Sequence, residues 1–193
     1  MTMQRDHQIY DSIDKEVILS RYVFDETVQY ELDDSLDWVS ALYDELEENT
    51  DREEEGYKKG NISVRLQLKR KSGKPFGDHL LVKGSIEAQY TAGCVRCLTL
   101  TPESVDTEFQ CAFINSRFEK DPEFEELDDI FTENEEYDLY FYEKGKIEIA
   151  EMVHEYLFMN INHLPLHDPN CLGLCQECGQ DLNKGSCIHH PAQ

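Results

Sequence analysis

The residues in this chain best equipped for chemistry are sulfurs and imidazoles. Six of its seven cysteines fall in two places: the short stretch Cys94-Val95-Arg96-Cys97, and the tail that reads HLPLHDPNCLGLCQECGQDLNKGSCIHH from residue 163 to 190. Four of them form C-x2-C pairs, Cys94 with Cys97 and Cys175 with Cys178. A C-x2-C turn aims two thiolates at one point, which is half of a tetrahedral zinc site. His167 and Cys171, spaced H-x3-C, complete the first pair on paper. Cys187 and His189, spaced C-x-H after the loop 179–186, complete the second. Each quartet then holds three sulfurs and one imidazole, a closed structural type with no position for substrate. A rival partition joins Cys171, Cys175, Cys178 and Cys187 in one local site and leaves Cys94 and Cys97 free, because spacing alone does not fix the pairing. One or two Zn2+ ions are therefore expected. Gly179 suits the tight turn after the second pair, where a positive φ is needed.

The competing readings of these cysteines are buried free thiols or disulfides. Disulfides need an oxidising compartment. The first residues, MTMQRDHQIYDSIDKE, carry no apolar run of the kind a secretory signal requires, so a cytoplasmic location with reduced thiols is expected. No apolar stretch approaches the ~20 residues of a membrane span. Catalytic patterns are missing. His154-Glu155 is followed by Tyr156, Leu157 and Phe158, so the second histidine of a zinc hydrolase is absent. The H-x-E and P-C-x2-C pairing of zinc deaminases is absent as well. A dithiol oxidoreductase would place its C-x2-C beside a βαβ unit rather than in a meander. The chain reads as a non-enzyme, with a thiol-based redox or zinc-responsive regulatory protein as the alternative.

The elements that must position these residues follow from periodicity. Residues 16–24, EVILSRYVF, are rich in β-branched and aromatic side chains and predict a first strand. Asp34 is placed as a helix N-cap, followed by Leu36, Val39, Leu42, Tyr43 and Leu46 at helical spacing; Trp38, beside that stripe, reads as core. Residues 44–55 hold eight carboxylates and one arginine and read as a solvated linker. Ile62, Val64, Leu66 and Leu68 then alternate with polar residues. A turn at Gly73, Pro75 and Gly77 leads to a second alternating run, Leu80 to Tyr90. After the Cys94–Cys97 turn comes a third, Val105 to Phe113. Cys111 lies on its apolar face and reads as a core residue. Residues 119–138 hold eleven carboxylates and one lysine and read as a mostly flexible loop. Tyr137 to Tyr142 predicts a short strand. Helical spacing returns from Ile147 to Ile161 and stops before Pro165. The expected class is α+β: an antiparallel β-meander or small open barrel, two main helices and a zinc-knuckle-like C-terminal tail. The expected division is 1–162 for the α+β part, including the Cys94–Cys97 turn, and 163–193 for the tail packed on it.

The charge is lopsided. The 193 residues hold 41 Asp plus Glu against 18 Lys plus Arg, a formal net charge of −23. Such a field repels bare nucleic acid and favours basic partners. The stretch 58–74 reverses it, with Lys58, Lys59, Arg65, Lys69, Arg70, Lys71 and Lys74 and no acid. Lys69, Arg70, Lys71 and Lys74 are candidate RNA-phosphate contacts; the plainer reading is an exposed strand face that offsets nearby acids.

Two motifs carry a resemblance. C-V-R-C-L follows an alternating strand, and a helix runs into L-P-L-H-D-P-N-C-L-G-L-C-Q-E-C-G-Q-D-L-N-K-G-S-C. In this order and at this length the chain resembles the YceD family, large ribosomal RNA subunit accumulation proteins, over roughly residues 15 to 190. Its tail is similar to the longer, cysteine-rich form of that family, in which C-G-x-x-L-N stands between the thiols. Many such tails end C-x-C; here His189 replaces the last thiol, and His190 is its neighbour. The resemblance implies a non-enzymatic role in ribosome assembly that supports accumulation of large-subunit ribosomal RNA. The acidic segments suit a basic ribosomal protein, so a ribosomal precursor or such a protein is the expected partner.

Overall fold

Three long alternating runs in succession leave the chain little choice but an antiparallel meander with one dry face. The computed structural model describes residues 8–122, 124 and 127–190. It begins with β1 (Ile9–Tyr10), β2 (Glu16–Ile18), a 3-10 turn at Leu19–Arg21, β3 (Thr27–Asp33) and α1 (Asp37–Leu46). The meander follows as β4 (Asn61–Gly73), β5 (Gly77–Gly93) and β6 (Leu100–Asn115). A second 3-10 turn (Ser116–Phe118), β7 (Asp129–Thr132), β8 (Glu135–Tyr142), β9 (Lys146–Glu148) and α2 (Ile149–Met159) complete the order. Seven strands form one sheet in the order β1-β3-β4-β5-β6-β8-β7, and β2 pairs with β9 separately. The sheet is mixed, because β1 runs parallel to β3 and β8 parallel to β6. The class is α+β. Among the described residues no helix is long and apolar enough to cross a membrane.

Pairing register follows the apolar alternation. Val64 sits opposite Ile86, Leu68 opposite Val82, and Val82 opposite Cys111. These residues share one face and are buried with Val39 and Leu42 of α1 and Met152, Val153 and Leu157 of α2. Cys111 is buried there, its sulfur 3.2 Å from the Met152 sulfur. Trp38 is core as well, its indole N–H donating to the Ile13 carbonyl at 3.0 Å. Gly84 opposes Phe109, and a Cβ at Gly84 would overlap that ring. The open space lets Phe109 stack on Tyr156 of α2, centroids 4.2 Å apart, which seats the helix that leads into the tail.

Several expectations need correction. Residues 16–24 are not one strand: Glu16–Ile18 pairs with β9, the chain then turns at Leu19–Arg21, and Phe24 makes only an isolated bridge to Arg70. The strand that joins the large sheet is β3, whose Thr27–Asp33 run pairs along β4. Asp34 does not cap α1. Leu36 holds that position without a side-chain bond, Asp33 accepts from the Ser35 amide at 2.9 Å, and Asp34 pairs with Lys59 at 3.1 Å. The acidic run after α1 is pinned, not free, because Glu47 is only 2 % exposed. Its carboxylate accepts from the Tyr43 hydroxyl at 2.8 Å, the Tyr57 hydroxyl at 2.7 Å and the Thr91 amide at 3.0 Å. Arg52 Nε lies 3.2 Å away. A buried carboxylate needs such partners, and here it has four.

The second acidic run folds too. Residues 129–138 form the β7–β8 hairpin, with Glu133 and Asn134 both at positive φ in its two-residue turn. Ile130, Tyr137 and Phe124 cover Leu81, Ala112 and Ile114 on the other face of the sheet, making a second small core. Two of the carboxylates that made this segment look solvated are held in ion pairs. Glu133 lies 3.2 Å from the Lys69 ammonium and 2.6 Å from that of Lys71, and Glu135 pairs with Lys83.

Candidate metal centre

The β5–β6 turn builds the first half of the centre. The Cys94 amide donates to the Thr99 carbonyl and the Leu98 amide to the Cys94 carbonyl, both at 2.9 Å, which folds Cys94–Leu98 into a knuckle with Leu98 at φ 65°. The tail repeats the pattern: the Cys175 amide donates to the Gln180 carbonyl and the Gly179 amide to the Cys175 carbonyl, both at 2.8 Å, with Gly179 at φ 73°. Gly179 thus has the left-handed conformation its spacing predicts. In the first knuckle a leucine occupies the corresponding place at a steric cost.

Backbone contacts bring the two knuckles side by side. The Val95 amide donates to the Pro165 carbonyl and the Leu174 amide to the Arg96 carbonyl, both at 2.9 Å. The Arg96 guanidinium donates to the Cys171 carbonyl at 2.9 Å. Gly173, at φ 78°, passes so close to Arg96 that a Cβ would press on its carbonyl at 3.1 Å.

The result is one cluster of Cys94, Cys97, His167 and Cys171, with one ligand atom from each within 4.8 Å of the others. The Cys94 and Cys171 sulfurs are 3.8 Å apart. His167 Nδ1 is 3.2 Å from the Cys97 sulfur and 3.5 Å from that of Cys94. A zinc tetrahedron with Zn–S near 2.3 Å and Zn–N near 2.0–2.1 Å has edges of about 3.8 Å between sulfurs and about 3.5 Å from sulfur to nitrogen. The observed spacings fit that polyhedron. Three of the four ligands are buried and His167 is exposed. Two supporting groups were not foreseen. Asn183 Nδ2 donates toward the Cys171 sulfur at 3.4 Å, and the Thr99 hydroxyl oxygen lies 3.2 Å from the Cys97 sulfur. Both are polar residues near a knuckle, where sulfur partners are common.

Electrostatics divide the thiols within each pair. Burial raises the Cys94 pKa, but hydrogen bonds from His167 and from the Arg96 and Cys97 amides outweigh it, and the thiol is pulled down to about 5. Burial raises that of Cys97, against the lowering effect of Thr99. In the tail, the Glu177 amide lowers Cys175. The Gln180 amide pulls Cys178 down, but Cys175 and burial prevail and its pKa is raised.

The second cluster holds Cys175, Cys178 and Cys187. His189, expected as its fourth ligand, lies outside that cluster. Cys187 and His190 exchange backbone hydrogen bonds at 3.2 and 3.0 Å, which puts Ile188 and His189 at the tip of a tight turn. Cys171 sits with Cys94 and not with the tail thiols, so the geometry follows the long-range partition. All seven cysteines are free thiols.

The candidate RNA-contact residues lie elsewhere, on β4 and the turn after it. Lys69 and Lys71 share Glu133, Lys71 also meets Asp25 at 2.6 Å, and Arg70 pairs with Asp78 at 2.7 Å. Lys74 has no ion-pair partner among the described residues.

A sequence model described as "Large ribosomal RNA subunit accumulation protein YceD" matches residues 82–193 of this chain, which hold both knuckles. A protein of Zea mays, "Large ribosomal RNA subunit accumulation protein YCED homolog 1, chloroplastic", is 26% identical over 148 residues, covering 67% of this chain and 49% of that protein. The chain therefore spans about half the length of the curated relative it matches. No solved structure matches.

Proposed function

The chain belongs to the YceD family of large ribosomal RNA subunit accumulation proteins, and on that premise we propose that it is a non-enzymatic ribosome-assembly factor. It supports accumulation of large-subunit ribosomal RNA through a tail fixed by structural zinc. The observation that carries the zinc part is the convergence of Cys94, Cys97, His167 and Cys171 from the β5–β6 turn and the tail, at the edge lengths of a zinc tetrahedron. Zinc there would do no chemistry on a substrate; it would lock residues 163–190 against the sheet as a docking surface. The tail thiols Cys175, Cys178 and Cys187 would hold a second ion, with an imidazole of His189 or His190 swung in as the fourth ligand.

The partner the chain as a whole suits is basic. The net charge of −23 steers positively charged polypeptide toward the chain. RNA contact through Lys69, Arg70, Lys71 and Lys74 is the less favoured route, because a phosphate would have to displace Glu133, Asp25 and Asp78 from three of them.

Native mass spectrometry of the purified chain is expected to show two zinc ions, and affinity purification from cells is expected to recover large-subunit precursors. A folded, metal-free chain would remove the zinc. Precursors absent from the eluate, together with unchanged ribosomal RNA levels on depletion, would remove the assembly role. Neutralising the four bases is expected to leave co-sedimentation with precursors intact if the partner is a protein, and to weaken it if the partner is RNA. A redox role instead requires thiols that alkylate at the same rate with and without chelator.

A further inference from the structure

β6 is paired on both sides for only part of its length. Toward β5 its ladder runs from Leu100 to Phe113. On the other side β8 joins only from Cys111 onward. Between Thr101 and Gln110 one edge of the strand has no neighbouring strand among the described residues.

The register shows which backbone groups that edge presents. The Cys94 amide bonds to the Thr99 carbonyl, so this is a hydrogen-bonded pair of the antiparallel ladder. Pair types alternate along such a ladder. Residues 101, 103, 105, 107 and 109 therefore turn their amides and carbonyls to β5. Pro102, Ser104, Asp106 and Glu108 turn theirs outward. Pro102 agrees with this assignment, since a proline is tolerated only where no ladder N–H is needed. Ser104, Asp106 and Glu108 also have exposed side chains.

We propose that the free edge of β6 around Ser104, Asp106 and Glu108 is a docking site for an extended, Lys/Arg-rich segment of a partner protein, which adds to the sheet as a further strand. Main-chain hydrogen bonds along such an edge supply affinity and the flanking side chains supply selectivity. The flanking charge is acidic. Asp106 and Glu108 lie on the edge, and Asp129, Glu136 and Asp138 line a groove of about 980 Å³ at its end. The two bases in that groove, Arg65 and Lys83, are already paired with Glu87 and Glu135. Charges on an edge commonly guard it against pairing with a second copy. Carboxylates do that here, since another chain of charge −23 is repelled, yet they leave the edge open to a cationic strand. The proposal rests on the reading of a basic ribosomal protein as partner, and gives it a landing place on the sheet in addition to the zinc-fixed tail.

Hydrogen exchange on the full-length chain tests it, with a synthetic peptide alternating lysine with valine as the probe. The amides of Ser104, Asp106 and Glu108 are expected to slow at least about tenfold on binding, the change expected when an open edge becomes a paired one. Asp106→Pro removes one outward N–H at the same class of position that Pro102 already fills, so the fold should survive. It is expected to weaken binding at least about tenfold. If that variant misfolds, the double charge reversal Asp106→Lys with Glu108→Lys leaves the backbone alone and is expected to abolish peptide binding. Protection that appears on residues 44–55 or 129–138 instead would overturn the proposal, as would unaltered binding by both variants or a wild-type dimer paired through this edge. Two further outcomes separate it from the assembly role. Ribosomal precursors recovered equally by wild type and Asp106→Pro would sink the edge and spare the role. Precursors recovered by neither, with the peptide still adding to the edge, would sink the role and spare the edge.

Discussion

At the residue scale the two knuckles form a natural experiment. Leu98 and Gly179 occupy the same left-handed place after a C-x2-C turn, but only glycine adopts it without a Cβ clash. Leu98 is 65% exposed, so replacing it forfeits little burial. Leu98→Gly is therefore expected to stabilise the chain by about 1 kcal/mol, and Gly179→Ala to destabilise it by about the same amount; urea unfolding of the zinc-loaded protein reads both, and a destabilised Leu98→Gly would show that the leucine side chain packs on something the strain argument omits. A second prediction concerns Asn183. Its amide reaches the Cys171 sulfur, and its carbonyl oxygen accepts from the Leu172 amide at 2.8 Å, so it orients a ligand without being one. Asn183→Ala is expected to lower zinc affinity about 10–100-fold, read by competition with a colorimetric chelator, and a change under twofold would reduce the contact to coincidence. The ligands could be picked out in the sequence because cysteine spacing is a strong signal. Asn183 and Thr99 could not, because nothing in one chain marks which polar neighbour of a knuckle turns toward sulfur.

At the scale of elements the two acidic runs teach the same lesson from opposite faces of the sheet. Glu47 is fixed by Tyr43, Tyr57, Thr91 and Arg52 and anchors the segment that joins α1 to β4. Glu47→Ala strands the Thr91 amide and two tyrosine hydroxyls, and is expected to cost about 2–4 kcal/mol. Glu53→Ala, on the exposed part of the same run, serves as the neutral control, and equal effects in urea melts would deny Glu47 its anchoring role. On the other side, a hydrogen bond from Lys71 lowers the Glu133 pKa below its ordinary value; burial opposes it, and a further bond from Lys69 reinforces it. A carboxylate with a depressed folded pKa lends stability that is complete above its ordinary range and is lost as pH falls through the folded value. The β7–β8 hairpin is accordingly expected to loosen first on acidification, with amide exchange at Ile130 and Tyr137 rising before that of β5, and Glu133→Gln is expected to flatten that dependence. Exchange that rises uniformly would separate the hairpin from this titration. Composition hid both anchors. Period-two alternation revealed β4, β5 and β6 because a half-buried strand must alternate. A run of acids gives no hint of which one is buried, and the hairpin's pairing to β6 is fixed by Tyr137 and Ile130 packing over Leu81 and Ala112, a contact between distant parts of the chain. β3 escaped for a related reason: its Val28, Tyr30 and Leu32 alternate, but only its pairing to β4 tells that short run from a loop.

At the scale of the whole molecule two electrostatic effects oppose each other, and their sizes decide which one salt reveals. Ion pairs such as Arg52 with Asp44 and Arg65 with Glu87 leave roughly half of each side chain in solvent, and pairs of that kind contribute about 0–1 kcal/mol each. Against them stands the mutual repulsion of a net charge of −23, which presses on the compact state as a whole. Raising ionic strength from about 0.01 M to about 0.15 M shortens the screening length from roughly 30 Å to roughly 8 Å. That length falls from the span of the molecule to little more than the reach of a neighbouring charge, so it removes long-range repulsion while sparing contacts under 4 Å. The zinc-loaded chain is therefore expected to gain on the order of 1 kcal/mol, a rise in Tm of about 2–4 °C for this length. The chelated chain is expected to gain about as much, because thiols freed from zinc take up protons and leave the net charge nearly unchanged. A Tm that falls with salt would mean that the exposed pairs, and not the net charge, govern the stability of this fold, and it would weaken the case that the same field draws a cationic strand to the edge of β6.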